Sequence, residues 1–88
     1  MLEQQVQKKI IDFLNDIGAW SCKIISSNKA GTPDILACHQ GKFIAIECKS
    51  VKGKPSEIQK YQISQIEQSG GIAVVAYSIN DVKRIIHE

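Results

Sequence analysis

The 88-residue sequence has no apolar run near the roughly 18 residues that a membrane-spanning helix needs, and no basic-then-apolar opening of the kind that directs secretion. An intracellular, cytoplasmic protein is expected. Three cysteines, Cys22, Cys38 and Cys48, form an odd set without the CxxC spacing of zinc sites or disulfide scaffolds, so they read as small, reduced, mostly buried side chains. Without a Walker-type phosphate loop, neither nucleotide hydrolysis nor helicase action is expected, and no G-x-S-x-G elbow is present. Nor is there an internal repeat, a low-complexity segment or a linker, and residues 1–88 read as one domain. An excess of one charge is missing as well. A net charge of +2 neither demands nor excludes a polyanionic partner, so the distribution of charge matters more than its sum. Lys49, Lys52, Lys54 and Lys60 lie close together in sequence, as a local positive patch would, and as a solvated loop would too.

What is present is material for a core. Apolar residues make up 43% of the chain, which is ordinary for a globular protein, but 88 residues is near the lower size at which one core suffices, so a partner subunit would help. Leu2, Val6, Ile10, Phe13, Leu14 and Ile17 recur at helical spacing up to Gly18, predicting an amphipathic helix over residues 2–17. Residues 19–26 read as a strand, residues 27–33 (SNKAGTP) as turns, and 34–38 and 42–49 as a hairpin joined by a tight connection at His39–Lys42. Pro55 and Ser56 open a second helix that Gly70 and Gly71 close. Residues 72–77 (IAVVAY) form a buried strand, and Ser78 with Asp81 can cap a short helix through Ile86. Helices on both faces of a sheet make the class α/β.

Charged residues stand where this pattern places core strands. Asp34 leads into ILAC, and Glu47 and Lys49 follow FIAI directly. A lone buried charge costs several kcal/mol or more, so charges at the ends of core strands need a use. If the two strands are neighbours, the carboxylates of Asp34 and Glu47 converge, and they repel unless a cation lies between them. Hard ions such as Mg²⁺ or Mn²⁺ take oxygen ligands of this type. Cys48 points its side chain away, which leaves its backbone carbonyl near the same place as a further oxygen. Lys49, back on the Glu47 face, can hold a water or a phosphate oxygen beside the metal, as phosphodiester hydrolysis requires.

The segments TPD at 32–34 and ECK at 47–49 resemble the PD-(D/E)XK nuclease motif, and the chain more narrowly resembles the virus-type replication-repair nuclease (VRR-NUC) domain. The likeness runs over nearly the whole chain, through Glu3, GTPD, GKFIAIECK, GKPSEIQ and the glycine pair before the last strand. It implies a restriction-endonuclease-like core of order α-β-β-β-α-β-α, with a mixed central sheet flanked by helices. It also implies a metal site of Asp34, Glu47 and the Cys48 carbonyl, with Glu3 as a further acid, and catalytic roles for Lys49 and for Gln59 in the following helix. The activity implied is a Mg²⁺- or Mn²⁺-dependent endonuclease on DNA, with branched substrates such as four-way (Holliday) junctions and a homodimer as the working unit. Lys29, Lys52, Lys54 and Lys60 are the candidate phosphate contacts.

Plainer readings exist for each residue. Asp34 after Pro33 could start a strand from a turn, Glu47 and Lys49 could be an ion pair at a strand end, and Glu3 could favour a helix N-terminus through the dipole. Ser56-x-x-Gln59 is also a capping box, although Gln59 falls on the inward face of its helix. His39 and His87 read as surface histidines. Taken whole, the chain could be a non-catalytic nucleic-acid-binding or oligomerisation module with the nuclease fold, and affinity for Mg²⁺ at Asp34 and Glu47 separates that from an enzyme.

Overall fold

Val6, Ile10 and Leu14 are four residues apart, a spacing that keeps side chains on one side of an α-helix. In the computed structural model, which describes residues 1–86, all three are buried in helix α1 (Glu3–Asp16). Gln5 returns its side-chain oxygen to the Leu2 N–H at 2.8 Å, satisfying one of the donors that the first turn leaves open. After Gly18 come three strands, β1 (Trp20–Lys23), β2 (Ile35–His39) and β3 (Lys42–Cys48), then helix α2 (Glu57–Gln68), strand β4 (Ile72–Ala76) and helix α3 (Ile79–Ile86). This is the expected element order.

The sheet order is β1-β2-β3-β4, antiparallel across the first three strands and parallel between β3 and β4. Gln40 and Gly41 both take positive φ, 51° and 80°, the combination that a two-residue hairpin turn needs to match strand twist, so β2 and β3 pair with Ile35 opposite Ile46. Because β3 lies inside the sheet with helices on either side, Ile44, Ala45, Ile46, Glu47 and Cys48 are all buried. One sheet face, carrying Ile35, Ala37, Ile44, Ile46 and Ala76, packs on α1 and α3 as the main core. Helix α2 lies on the opposite face, over β3 and β4.

Several expectations are corrected. Strand β1 stops at Lys23 rather than residue 26: one more backbone bond, Ile24 N–H to the Asp34 carbonyl at 2.8 Å, ends the ladder where the chain enters a loop tied by its own side chains. There Ser27 and Thr32 share a hydroxyl hydrogen bond of 2.9 Å, and Thr32 Oγ1 donates to the Lys29 carbonyl at 2.7 Å. Strand β4 is an edge strand, so of its five residues only Ala76 is fully buried. The Asp81 carboxylate takes the Tyr77 N–H at 2.8 Å and pairs with Arg84 at 3.1 Å, instead of capping Ser78. The cysteines also divide, with Cys48 buried, Cys22 half-buried and Cys38 exposed on the open face of β2. His39, at the end of β2, is half-buried, and His87 lies outside the described residues. Among the described residues no helix is long and apolar enough to cross a membrane.

Candidate active site

Antiparallel pairing of Ile35 with Ile46 carries the chain back so that Asp34, one residue before β2, stands beside Glu47 in β3. The two motif acids therefore meet because the register of one hairpin brings them together. Glu3, in the first turn of α1, joins them, and one carboxylate oxygen from each of Glu3, Asp34 and Glu47 lies within 4.8 Å of the others. Asp34 is fixed on the other side by its Oδ2, which accepts the Cys48 N–H at 2.9 Å. A strand residue sends its N–H and C=O to the same side, so the Cys48 carbonyl is directed to the Asp34 side of β3.

Glu47 is the unusual member, only 1% exposed and, among the described residues, the one charged residue in the buried core. Its Oε2 accepts the Gln59 amide at 3.0 Å and faces the Lys49 ammonium at 3.5 Å. Its Oε1 is buried without a hydrogen-bond partner among the described residues. Burial, then the neighbouring charge of Asp34, pushes the Glu47 carboxyl up to about 7, and Lys49 opposes the rise. The same burial, next to the same acids, pushes the Cys48 thiol up to about 12 and leaves it an inert apolar group.

Gln59 closes the capping box and also reaches Glu47. The amide ends in an acceptor and a donor: Oε1 takes the Ser56 N–H at 2.8 Å, while Nε2 donates to Glu47. Ser56 Oγ accepts the Gln59 N–H at 3.3 Å and completes the capping box. The N-terminus of α2 is thus locked to the acid that the helix faces.

Lys49 does not belong to the exposed lysine patch, since its side chain is largely covered and turned to Glu47. Lys52 and Lys54 are exposed in the loop after β3, and Lys60 is exposed on α2 with Glu57 at 3.4 Å. Lys29 is exposed in the loop before Asp34. Lys52 and Lys54 follow β3 in the chain, Lys60 is next to Gln59 on α2, and Lys29 stands in the loop that leads to Asp34.

Two supports escaped the sequence reading. Gly31 has φ +81°, and a Cβ there would sit 2.7 Å from the Ile58 carbonyl oxygen, so the loop before Pro33 presses its backbone on the first turn of α2. Gln62 Nε2 donates to the Ala30 carbonyl at 3.1 Å and holds the same contact one turn on. The glycine in AGTPD was the available signal, but only the approach of α2 gives it meaning.

A mixed sheet of this order, with a Pro-Asp and a Glu-x-Lys meeting at the ends of its two neighbouring inner strands, defines the PD-(D/E)XK class of nucleases. The solved structures agree in fold. A VRR_NUC domain superposes with a TM-score of 0.81 at 24% identity, covering 98% of this chain and 95% of the other. A VRR_NUC domain protein superposes with a TM-score of 0.73 at 23% identity, covering 99% and 86%. The putative nuclease p44 of Acyrthosiphon pisum secondary endosymbiont phage 1 is 28% identical over 74 residues, 83% of this chain and 80% of that protein. The family model described as archaeal Holliday junction resolvase (hjc) matches residues 3–88, and the chain belongs to that family of nucleases.

Proposed function

We propose that residues 1–88 form one metal-dependent endonuclease domain that cuts branched DNA, with four-way junctions as the preferred substrate and a homodimer as the working unit. The observation that carries this reading is Glu47: a carboxylate buried to 1% with one orphaned oxygen, facing two further acids. An unpaired buried carboxylate oxygen costs about 1–3 kcal/mol or more. Three hard oxygen donors with a backbone carbonyl fit a divalent cation such as Mg²⁺ or Mn²⁺. Asp34, Glu47 and the Cys48 carbonyl would hold it, with Glu3 as an outer ligand. When bound, such an ion supplies Lewis-acid stabilisation of charge on the phosphoryl oxygens.

The chain's own residues do the rest. Lys49, held 3.5 Å from Glu47, orients the attacking water in line with the scissile bond and stabilises charge as it develops. Gln59 keeps Glu47 Oε2 turned to α2 and leaves Oε1 without a hydrogen-bond partner among the described residues, so that Glu47 would be able to hold a cation. Lys29, Lys52, Lys54 and Lys60 contact phosphates around the site, which makes binding salt-dependent. Junction preference is supported by the family name and by symmetry: resolving a four-way junction takes two cuts, and a two-fold dimer presents two sites by geometry. A binding module would have no use for a buried, partly unsatisfied carboxylate. Incubating the protein with linear duplex, flap and four-way junction DNA in Mg²⁺, Mn²⁺ or EDTA tests the reading. Metal-dependent cutting of the junction is expected, and no cutting of any substrate in either metal overturns it.

A further inference from the structure

The face of the sheet that carries α2 is only half covered. Helix α2 packs over β3 and β4. Beyond it, Trp20, Cys38 and Phe43 lie in one row across β1, β2 and β3, because the register pairs Trp20 with Cys38 and Cys38 with Phe43. Trp20 is 64% exposed and Phe43 46%. Between this row and α2 runs a groove of about 730 Å³, walled by Leu36, Phe43, Tyr61 and Ile66, with Lys29 and Lys42 also lining it. Tyr61 is 56% exposed. An exposed tryptophan therefore stands about two strand spacings, roughly 10 Å, from an open apolar groove on the same face.

We propose that this face is the interface between two copies of the chain, with Trp20 of each copy seated in the groove of the other. The proposal rests on the two-fold working unit put forward above and on no other part of that reading. A knob and a groove on one surface are self-complementary under a two-fold axis. With the axis running along β2, the Trp20 side of one sheet falls over the Phe43 side of the other. The charge pattern fits a second copy: Trp20, Leu36, Cys38, Phe43, Tyr61 and Ile66 carry no charge, and Lys29 and Lys42, which also line the groove, lie off β2, so a pairing about an axis along β2 opposes no like charges at its centre. The area fits too. At about 150–250 Å² per fully buried aromatic side chain, the exposed parts of Trp20, Phe43 and Tyr61 alone amount to about 350 Å². That is nearly half of the roughly 800 Å² that each partner contributes to a stable interface. Sheet strand and groove wall supply the remainder.

Trp20 is the only tryptophan in the chain, so its emission reports on the interface directly. Light scattering and tryptophan fluorescence are measured together on the metal-free protein from nanomolar to high micromolar concentration. The expected result is a dimer whose blue-shifted emission moves to the red as it dissociates on dilution. Trp20→Glu and, independently, Tyr61→Glu should each weaken dimerisation by about 30-fold or more, the scale of a buried aromatic hot spot. Both side chains are exposed in the single chain, and far-UV circular dichroism of the variants should match the wild type. A wild type that stays monomeric throughout overturns both the two-fold reading and this interface, including the case in which Trp20 emission shifts only when DNA is added. A wild-type dimer that survives both substitutions leaves the two-fold reading standing and overturns the interface.

Discussion

Replacing Glu47 by glutamine removes a charge from a fully buried position and should stabilise the metal-free protein. Its carboxyl is pushed up from an ordinary 4.5 to about 7, chiefly by burial and then by Asp34. A carboxyl raised by folding is fully accommodated below about pH 4.5, where it is neutral folded and unfolded alike. As pH rises to about 7 and beyond, the unfolded chain ionises first, and stability is lost across that window. At 1.36 kcal/mol per pH unit the loss is about 3 kcal/mol, and discounting for solvent relaxation leaves about 2. Glutamine keeps the size, can still accept from Gln59, and puts an amide donor where Oε1 had no partner. Thermal or urea unfolding in EDTA at pH 5 and pH 8 measures the difference between variant and wild type. Glu47→Gln should be close to wild type at pH 5 and about 2 kcal/mol more stable at pH 8, or roughly 8–16 °C in Tm for a domain of this size. Calorimetry should show Mn²⁺ affinity lost in the same variant. A stability difference that does not change between pH 5 and pH 8 would refute the account of the buried charge, and unchanged Mn²⁺ affinity would move the cation elsewhere.

Lys49→Ala should lower cleavage by about 100-fold or more while leaving DNA binding nearly intact, because its interaction strengthens as charge develops; single-turnover cutting beside a gel-shift titration decides it. Gln59→Met leaves Ser56 as the N-cap but removes the returning hydrogen bond to the Ser56 N–H and the hydrogen bond to Glu47 together, and should cost about 1–2 kcal/mol. Gln59→Glu keeps the cap but sets a third carboxylate against Glu47, so its deficit in urea melts should grow between pH 5 and pH 8. Gly31→Ala meets the Ile58 carbonyl oxygen at 2.7 Å with a positive φ, and should cost about 1–3 kcal/mol and lower activity per folded molecule, which circular dichroism melts and cleavage at low temperature can separate. Changing Lys52, Lys54 and Lys60 to Gln together should flatten the salt dependence of junction binding by about one unit of slope for each phosphate no longer neutralised; an unaltered slope would remove them from the DNA surface.

The spacing of Val6, Ile10 and Leu14, the hairpin around Gln40 and Gly41, and the capping box at Ser56 are local patterns. Each follows from the geometry of one helix turn or one strand pair, so the element order and the α/β class were legible in the chain alone. The pairing of Asp34 with Glu47 was nearly so, since a two-residue turn sets the register of the strands it joins. Other features needed the assembled molecule. Gln59 could be read as a cap or as a site residue, and only the docking of α2 on β3 lets one amide close the cap and reach Glu47. Lys49 looked like part of a lysine patch until the buried carboxylate beside it turned it inward. Strand β4 read as buried because its residues are apolar, yet its place at the sheet edge decides what covers it. Glu3 meets Asp34 only because α1 packs across the sheet. Local sequence determines backbone conformation and periodicity through short-range sterics and hydrogen bonds, whereas the partners of a side chain thirty or more residues away depend on how whole layers pack, and packing is decided by all of them at once.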